Sequence, residues 1–329
     1  MTTEVRHQVR CAVVGLGRIG SLLEDDGLRE KPCTHTGAIV SEPSCRLVAG
    51  CDLSESRREL FRNRWECDEV FADAEQMLEH TQPEVLCIAT PPDTHWHLVQ
   101  TAERRGVSVA VCEKPLAYTL RDAKRIARLH RSGNTRVITN HERRYSADYL
   151  AVRSLIRRRE YGRLLSIRGT LYFGGGRHDQ VLLHDGTHMV DIINYLVGAN
   201  ARFSRRFGKM RSRASSAYIF GRVGSVPIVI EVGSERDHLV FELELSFERG
   251  RVRLGNGVLS FERSEQSPYY ENYRSLLQGQ APEIAVTGYF TNMIRDAVKA
   301  VGDPVYEPVS TALDGLAVMK FIKSVRGYL

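Results

Sequence analysis

The feature that most constrains this chain is a glycine-rich turn close to its start. An apolar run at residues 11–14 is typical of a buried parallel strand, and the pattern G-x-G-x-x-G follows at once, with glycines at Gly15, Gly17 and Gly20. Residues 19–23 predict the start of a helix. In such a strand–turn–helix the first glycine permits the tight turn, the second lets a pyrophosphate approach the backbone, and the third lets the helix pack close to the strand. The stretch therefore predicts a dinucleotide site, with the helix N-terminus facing the phosphates.

An acidic residue after the second predicted strand strengthens this interpretation. Asp52 ends that strand and can accept hydrogen bonds from an adenosine ribose. Its distance from the glycines exceeds the usual interval of about 20 residues, and we attribute the excess to an inserted loop at residues 24–32, before the helix resumes near His35. We expect the part of this loop around residues 31–35 to cover the cofactor, to rim the substrate pocket, or to be a plain surface loop. Because a carboxylate repels the extra phosphate of NADP, Asp52 favours NAD, while Arg57 and Arg58 leave NADP open.

Composition is typical of a soluble globular protein that is large enough for two domains. The chain has 329 residues, of which 42% are hydrophobic and 26% are charged. No run of about 18 apolar residues is present, and residues 1–7 lack the apolar core of a signal peptide. The seven cysteines are odd in number, several fall in predicted buried strands, and none forms a C-x-x-C pair. These features predict a cytoplasmic protein with neither a disulfide framework nor a membrane span.

The net charge of +6 is accompanied by clusters of neighbouring arginines. Such a balance suits an anionic substrate or nucleic acid. No helix-turn-helix, finger or aromatic RNA-binding signature lies beside the clusters. We therefore interpret them as solvated helix faces and expect no nucleic-acid partner.

Up to about residue 140, short apolar runs alternate with amphipathic helices, which predicts a parallel sheet with crossover helices. The predicted strands are residues 11–15, 46–52, 70–71, 85–89, 108–112 and 136–139. The predicted helices are residues 54–64, 74–80, 95–105 and 120–132. We place a Rossmann dinucleotide-binding domain at residues 1–140.

Beyond residue 140, successive strands with short turns predict an antiparallel sheet. These strands are residues 164–173, 217–220, 227–232, 240–247 and 258–261, with a glycine loop at 174–176 and turns at 248–250 and 255–257. The predicted helices are residues 147–159, 189–196, 289–301 and 310–325. The predicted fold class is thus α/β, a Rossmann domain followed at residues 141–329 by an α+β domain with a mostly antiparallel open sheet. This prediction allows the C-terminal helices to pack back on the first domain.

A stretch with two prolines follows the fourth predicted strand. Thr90, Pro91 and Pro92 lie where ligands of open α/β sheets bind, over the C-terminal ends of the strands. We expect this stiff loop to lie along the nicotinamide half of the cofactor. His95 follows at the start of the next helix, and we assign it no metal.

The tripeptide Glu113-Lys114-Pro115 follows the fifth predicted strand. A lysine amine in a partly dry cleft can take a proton near neutral pH. The oxidation of an alcohol needs such a base, because the hydroxyl proton leaves as hydride moves to the nicotinamide. We expect Lys114 to be this base, with its backbone fixed by the two flanking residues.

Taken together, the glycine motif, Asp52, the Thr-Pro-Pro segment and Glu-Lys-Pro resemble the Gfo/Idh/MocA family, the glucose–fructose oxidoreductase and inositol dehydrogenase group. The resemblance covers nearly the whole chain, including residues 140–145 at the domain junction and Asp314-Gly315-Leu316 near the end. It implies that Lys114 is the catalytic or substrate-orienting residue. It also implies a homodimer or homotetramer built through the open face of the second-domain sheet.

In the family pattern, an aspartate is followed after three further residues by a histidine, and both point at the substrate. His188 matches the histidine, whereas the aspartate position falls on His184, with Asp185 one step later. Residues 184 and 188 share a helical face, and so do residues 185 and 188. The pattern leaves open which of His184 and Asp185 takes the role of the aspartate.

A bolder interpretation is that His178, His184, Asp185 and His188 bind a metal, since histidines four residues apart on a helix can bind zinc. A hydride transfer needs no metal and no cysteine lies nearby, so we expect none.

The sequence therefore predicts an NAD(P)-dependent oxidoreductase that acts on a secondary hydroxyl of a sugar, cyclic polyol or sugar derivative. A non-catalytic dinucleotide-binding sensor and redox-neutral NAD-dependent glycoside cleavage are the alternatives. The residues expected to bind the cofactor are Gly15, Gly17, Arg18, Ile19, Gly20, Asp52, Thr90, Pro91, His95, Glu113 and Lys114. The residues expected to act in catalysis or to bind the substrate are Lys114, Arg144, His184, Asp185 and His188.

Overall fold

The computed structural model describes residues 8–174 and 176–326. The polar residues 1–7 and Gly175 of the predicted glycine loop lie outside this part of the chain. The chain divides into two compact units, one of Met1–Tyr145 with Gly288–Leu316 and the other of Ser146–Thr287 with Ala317–Leu329. Within the described ranges, no helix is both long enough and apolar enough to cross a bilayer.

The first unit is built on a six-stranded parallel sheet with the order β3-β2-β1-β4-β5-β6. Its strands are β1 (Val9–Val14), β2 (Cys45–Cys51), β3 (Val70–Phe71), β4 (Val85–Ile88), β5 (Val109–Cys112) and β6 (Arg136–Thr139). The central strands are buried on both faces, which explains why they are continuous apolar runs in the sequence. The chain reverses its direction of winding between β1 and β4, and ligands of such sheets bind beside that point.

The second unit is built on an eight-stranded sheet with the order β14-β13-β12-β11-β7-β10-β9-β8. Its strands are β7 (Leu164–Tyr172), β8 (Ala201–Phe207), β9 (Ser216–Val223), β10 (Val226–Gly233), β11 (Val240–Phe247), β12 (Gly250–Gly255), β13 (Val258–Gln266) and β14 (Arg274–Gln278). Only β7 and β10 pair in parallel among these strands. The predicted fold class, a Rossmann sheet with a second and mostly antiparallel sheet, is confirmed.

Ten α-helices cover the sheets in the described part of the chain. They are α1 (His35–Ser41), α2 (Glu55–Trp65), α3 (Ala74–Thr81), α4 (His95–Arg104), α5 (Leu120–Ser132), α6 (Ala147–Arg158), α7 (His178–His184), α8 (Gly186–Val197), α9 (Tyr289–Gly302) and α10 (Ala312–Arg326). Short 3-10 helices lie at Leu22–Asp25 and Glu142–Tyr145. α9 belongs to the first unit, where it packs against α1 and onto β4 and β5.

Three strands and one helix are absent from the sequence prediction. β8 and β14 are edge strands without a buried residue, and their sequences do not alternate cleanly between apolar and polar residues, so they carry little hydrophobic signal. β12 begins at Gly250, which the sequence places in a turn. A Cβ at Gly250 would collide with the ring of Tyr161, so this glycine permits close packing inside the sheet as well as a turn. The missing helix is α7, which precedes the predicted helix 189–196.

Candidate active site

Two glycines shape the turn after β1. Gly15 has a φ of +92°, and a Cβ there would lie 2.6 Å from the carbonyl oxygen of Ala89. A Cβ on Gly20 would overlap the carbonyl oxygen of Gly15. Both positions therefore require glycine, because any side chain would force the turn open.

Four consecutive backbone amides of this turn are available to a ligand. The amides of Gly17, Arg18, Ile19 and Gly20 donate to no acceptor within residues 8–174 and 176–326. The next two amides, in contrast, both donate to the carbonyl of Gly17, at 2.9 and 3.0 Å. Unpaired amides at the first turn of a helix bind phosphate oxygens. The turn therefore fits the pyrophosphate of a dinucleotide.

Two hydrogen bonds join this turn to the start of α1. The carbonyls of Ile19 and Gly20 accept the amides of His35 and Thr36, each at 3.1 Å. The segment between them contains the short 3-10 helix Leu22–Asp25, whereas the sequence predicts a helix that begins at residues 19–23. The prediction that a helix resumes near His35 after an inserted loop is confirmed by α1.

Asp52 is fixed beside the turn at the end of β2, where it is 9% exposed. Its Oδ2 accepts the amide of Leu16 and its Oδ1 accepts the amide of Ser54, each at 2.9 Å. Nη1 of the half-exposed Arg57 lies 3.4 Å from Oδ2. The carboxylate retains lone pairs for the hydroxyls of a ribose, and Arg57 places a cation at the same point.

His95 lies inside the fold, with no exposed surface. Its Nε2 is 2.9 Å from the carbonyl oxygen of Thr90, and its Nδ1 is 3.3 Å from that of Leu116. Burial lowers the pKa of His95 more than these carbonyls raise it, so the ring is neutral and donates from one nitrogen, which we assign to the shorter bond. The side chain links the Thr-Pro-Pro loop to the segment after Lys114.

Glu113 and Lys114 follow β5 at the same edge of the sheet as Gly15, Asp52 and Thr90. This edge carries the carboxyl ends of the parallel strands, where the sequence placed all five residues. Lys114 is half-buried and Glu113 is 6% exposed.

The carboxylate of Glu113 accepts three hydrogen bonds. Its Oε1 accepts Nε2–H of His35 at 2.9 Å and Nδ2–H of Asn140 at 2.5 Å. Its Oε2 accepts the backbone amide of Lys114 at 3.1 Å. Burial alone would raise the pKa of Glu113, but His35, Lys114 and Asn140 together bring it below its usual range. Glu113 is therefore an ionised group that holds the main chain of Lys114.

Arg144 is buried in the first unit and is held by other groups there. Its Nη1 donates to the carbonyl of Val309 at 2.8 Å, and its Nη2 lies 3.0 Å from Asp314. A substrate-binding role for Arg144 remains a prediction, and these contacts give it a structural role inside the unit.

His184, Asp185 and His188 lie in the second unit, where α7 ends and α8 begins. His184 is exposed, Asp185 is half-buried and His188 is 8% exposed. The amide of Asp185 donates to Val181 four residues earlier, whereas the amide of His188 donates to Asp185 only three residues earlier. The spacing of the helical hydrogen bonds thus changes from four residues to three at Asp185, where α7 gives way to α8. The expectation of one regular helical face for these residues is therefore wrong. A Cβ on Gly186 would lie 2.7 Å from Leu182, and this glycine also lowers helix propensity at the junction.

His178 begins α7, and its Nδ1–H donates to the carbonyl of Lys209 at 3.0 Å. Within residues 8–174 and 176–326, no group of three or more His, Cys, Asp or Glu side chains is arranged to hold a metal ion.

Sequence reasoning missed His35 and Asn140 as members of this site. Both side chains are fully or almost fully buried, and both donate to Glu113. His35 and Glu113 are 78 residues apart in sequence, so no local pattern marks the pair. The only sequence signal is that His35 follows a good helix cap, Thr34.

Comparison with known proteins gives a consistent result. Residues 9–141 match the model of the oxidoreductase family with an NAD-binding Rossmann fold, Gfo/Idh/MocA. The scyllo-inositol 2-dehydrogenase (NAD(+)) of Bacillus subtilis is 24% identical over 290 residues, which cover 86% of this chain and 75% of that protein.

Two solved structures share the fold across both units. The myo-inositol 2-dehydrogenase of Lactobacillus plantarum superposes with a TM-score of 0.75 at 19% identity, covering 97% of this chain and 96% of that one. The WlbA dehydrogenase of Bordetella pertussis, in complex with NADH and UDP-GlcNAcA, gives a TM-score of 0.75 at 18% identity, covering 98% and 96%. With the glycine turn, Asp52 and the Glu-Lys-Pro tripeptide at one edge of its Rossmann sheet, the chain is similar to the Gfo/Idh/MocA oxidoreductases, and the family model matches its first domain.

Proposed function

We propose that this protein is an NAD(P)-dependent dehydrogenase that acts on a secondary hydroxyl of a sugar, cyclic polyol or sugar derivative. The observation that carries the proposal is the position of Lys114. It follows β5 at the edge of the sheet that also carries the open amides of the glycine turn, and Glu113 holds its backbone. A base beside a dinucleotide site is what alcohol oxidation requires.

The cofactor is held by groups of the first unit. The amides from Gly17 to Gly20 bind the pyrophosphate, and Asp52 accepts the ribose hydroxyls. The loop at Thr90 and Pro91 lies along the nicotinamide half. When bound, the nicotinamide supplies a hydride acceptor for alcohol oxidation, or a hydride donor for the reverse reaction.

Lys114 moves the proton in this reaction. Its Nζ, in the neutral amine form, accepts the proton of the reacting hydroxyl. The C–H bond of the carbon that carries this hydroxyl is broken at the same time, so the alcohol becomes a ketone. The carboxylate of Glu113 does not touch the hydroxyl, and its task is to fix the lysine main chain. In the reduction direction the ammonium form returns the proton to the carbonyl oxygen.

In the second unit we assign His188 to the substrate hydroxyl, because an imidazole can bind a hydroxyl and share its proton. Either His184 or Asp185 orients the substrate. Arg144 is a further candidate for substrate binding through its charge.

The names of the relatives support the substrate class. Inositol dehydrogenases act on a cyclic polyol, and the Bordetella pertussis enzyme was solved with a nucleotide sugar derivative. A sensor or a redox-neutral glycosidase is not favoured by these comparisons.

We also propose a homo-oligomer that acts in the cytoplasm. The face of the second sheet opposite its helices carries partly exposed charges in register, for example Glu244 between Arg253 and Arg168. A surface of this kind can pair with a second copy of itself about a two-fold axis.

Formation of reduced nicotinamide, followed by absorbance with NAD or NADP and a panel of inositols, sugars and sugar derivatives, tests the proposed function. We expect the wild-type protein to reduce the cofactor with at least one of these compounds, and Lys114→Ala to lose this activity. Lys124→Ala, on the exposed surface of α5, is the matched control and should behave as wild type. Tight cofactor binding without any reduction across the panel would contradict the proposal.

A further inference from the structure

We propose that His35 is a positioning residue for Lys114, and that it acts through Glu113. The inference rests on the proposed function, because it gives a role to groups that surround the assigned base. His35 itself does not contact the reacting atoms.

The buried side chains of His35 and Asn140 both contact Glu113 in the first unit. His35 has no exposed surface, Asn140 is 2% exposed and Glu113 is 6% exposed. Both donors meet the same oxygen of Glu113, which leaves the second oxygen to accept the amide of Lys114. The carboxylate orientation, and with it the position of the Lys114 main chain, is therefore set from the side of His35.

The charge of His35 suits this role. Burial lowers the pKa of His35, but Cys87 and the Glu113 carboxylate raise it by more than burial lowers it, and the resulting pKa is about 10. His35 is thus an imidazolium at neutral pH and forms a buried ion pair with Glu113. A buried carboxylate without such a partner would be strongly destabilised.

The place of His35 in the fold links this ion pair to the cofactor turn. Its backbone amide donates to the carbonyl of Ile19, inside the segment whose amides face the phosphates. Its ring packs edge-on against Phe290, with centroids 5.4 Å apart, so it has little freedom to turn. A short path of bonds therefore runs from the phosphate turn through His35 and Glu113 to Lys114.

Ionisable groups also face this ion pair from neighbouring strands and helices. They are Cys87 on β4, Cys112 on β5, Lys114 after β5 and His95 on α4.

The experiment uses the full-length protein in three variants of one design. His35→Leu removes both the charge and the donor, whereas His35→Gln keeps a donor near the position of Nε2 without the charge. His130→Leu is the matched control, since this histidine is also buried in the first unit and accepts the amide of Val137 at 3.0 Å. Each variant is combined with Glu113→Gln to complete a double-mutant cycle.

For the wild type and each variant we measure kcat and KM with the polyol that the wild type oxidises, together with the dissociation constant of NADH. We expect kcat of His35→Leu to fall about 10- to 100-fold, the range that a small displacement of a reacting group produces, while KM stays within about 3-fold. His35→Gln should recover part of this loss, and His130→Leu should stay near the wild type. In the Glu113→Gln background, His35→Leu should add little further loss, because its effect passes through Glu113.

The amide hydrogen exchange of Lys114 supplies a readout that does not depend on catalysis. The exchange should be slow in the wild type and in His130→Leu, and faster in His35→Leu, whether or not a substrate is found. A wild-type protein without dehydrogenase activity would therefore refute the proposed function and leave the exchange to decide this inference. Unchanged exchange in a folded His35 variant, or an equal fall of kcat in His130→Leu, would overturn the positioning role.

Discussion

Replacement of Asp52 by asparagine should change the preference of this protein from NADH towards NADPH. The two carboxylate oxygens accept the amides of Leu16 and Ser54, and the Arg57 guanidinium lies 3.4 Å away. Asparagine keeps one acceptor oxygen, so it can preserve the bond to Leu16, but it loses the negative charge. Arg57, released from its partner, then faces whatever group occupies the ribose position.

The magnitude follows from the bonds that change. A hydrogen bond to a charged acceptor contributes about 1.5–3 kcal/mol, so the loss of the carboxylate should raise the Kd for NADH about 10- to 100-fold. Two unit charges about 4 Å apart repel by roughly 1 kcal/mol in water and roughly 4 kcal/mol at an effective dielectric constant near 20. Since Arg57 is half-exposed, the lower value applies, and relief of the repulsion should lower the Kd for NADPH about 5- to 10-fold. The ratio of the two constants should therefore change about 50- to 1,000-fold.

Fluorescence titration of NADH and NADPH measures both constants without a substrate. Arg57→Gln should weaken NADPH binding and leave NADH binding nearly unchanged. Arg62→Gln, on the exposed surface of the same helix α2, should change neither. If Asp52→Asn alters the two constants equally, the carboxylate does not discriminate between the cofactors and the reasoning is refuted.

Three further predictions concern the first unit. Gly20→Ala places a methyl group against the carbonyl of Gly15. This change should lower the free energy of unfolding by about 1–3 kcal/mol and weaken NADH binding. Unchanged NADH binding in a titration would count against the shape assigned to the turn. Asp296→Ala leaves two tyrosine hydroxyls and one backbone amide without their buried acceptor, which should cost about 3–5 kcal/mol in urea unfolding, and a loss below about 1 kcal/mol would contradict this. The third prediction concerns the ion pair of His35 and Glu113. Because the pKa of His35 is raised, the stabilisation that the charged histidine contributes is complete below about pH 6.5 and is lost as the pH rises towards 10. Because the pKa of Glu113 is lowered, the stabilisation that the ionised glutamate contributes is lost in acid. The difference in unfolding free energy between the wild type and His35→Gln should therefore shrink between pH 6.5 and pH 10, and a constant difference would show that His35 carries no charge.

The parallel sheet could be predicted almost to the residue from the sequence. Its central strands are buried on both faces, so residues 85–89 and 108–112 are continuous apolar runs and lie within a residue of β4 and β5. The edge strands β8 and β14 could not be predicted in this way, because neither strand buries a face fully and neither sequence shows the alternation that marks a half-buried strand.

The candidate site also has a part that could be predicted from the sequence and a part that could not. The glycine turn, Asp52 and Lys114 each follow a strand directly, so their common edge follows from the parallel topology. The contacts that orient them do not, since His35 reaches Glu113 across 78 residues and Arg144 reaches Asp314 only through tertiary packing. The change of winding at Asp185 was also hidden, because a helical period presumes that the helix is regular.

Transfer of deuterium from substrate to cofactor tests the central claim most directly. A polyol that the wild type oxidises is prepared with deuterium on its carbinol carbon and incubated with NAD or NADP, and the nicotinamide is examined by mass spectrometry. We predict that the reduced cofactor carries the deuterium in the wild type and in Lys124→Ala, and that Lys114→Ala forms almost none. Reduced cofactor without deuterium, or full transfer by Lys114→Ala, would contradict a hydride transfer that depends on Lys114.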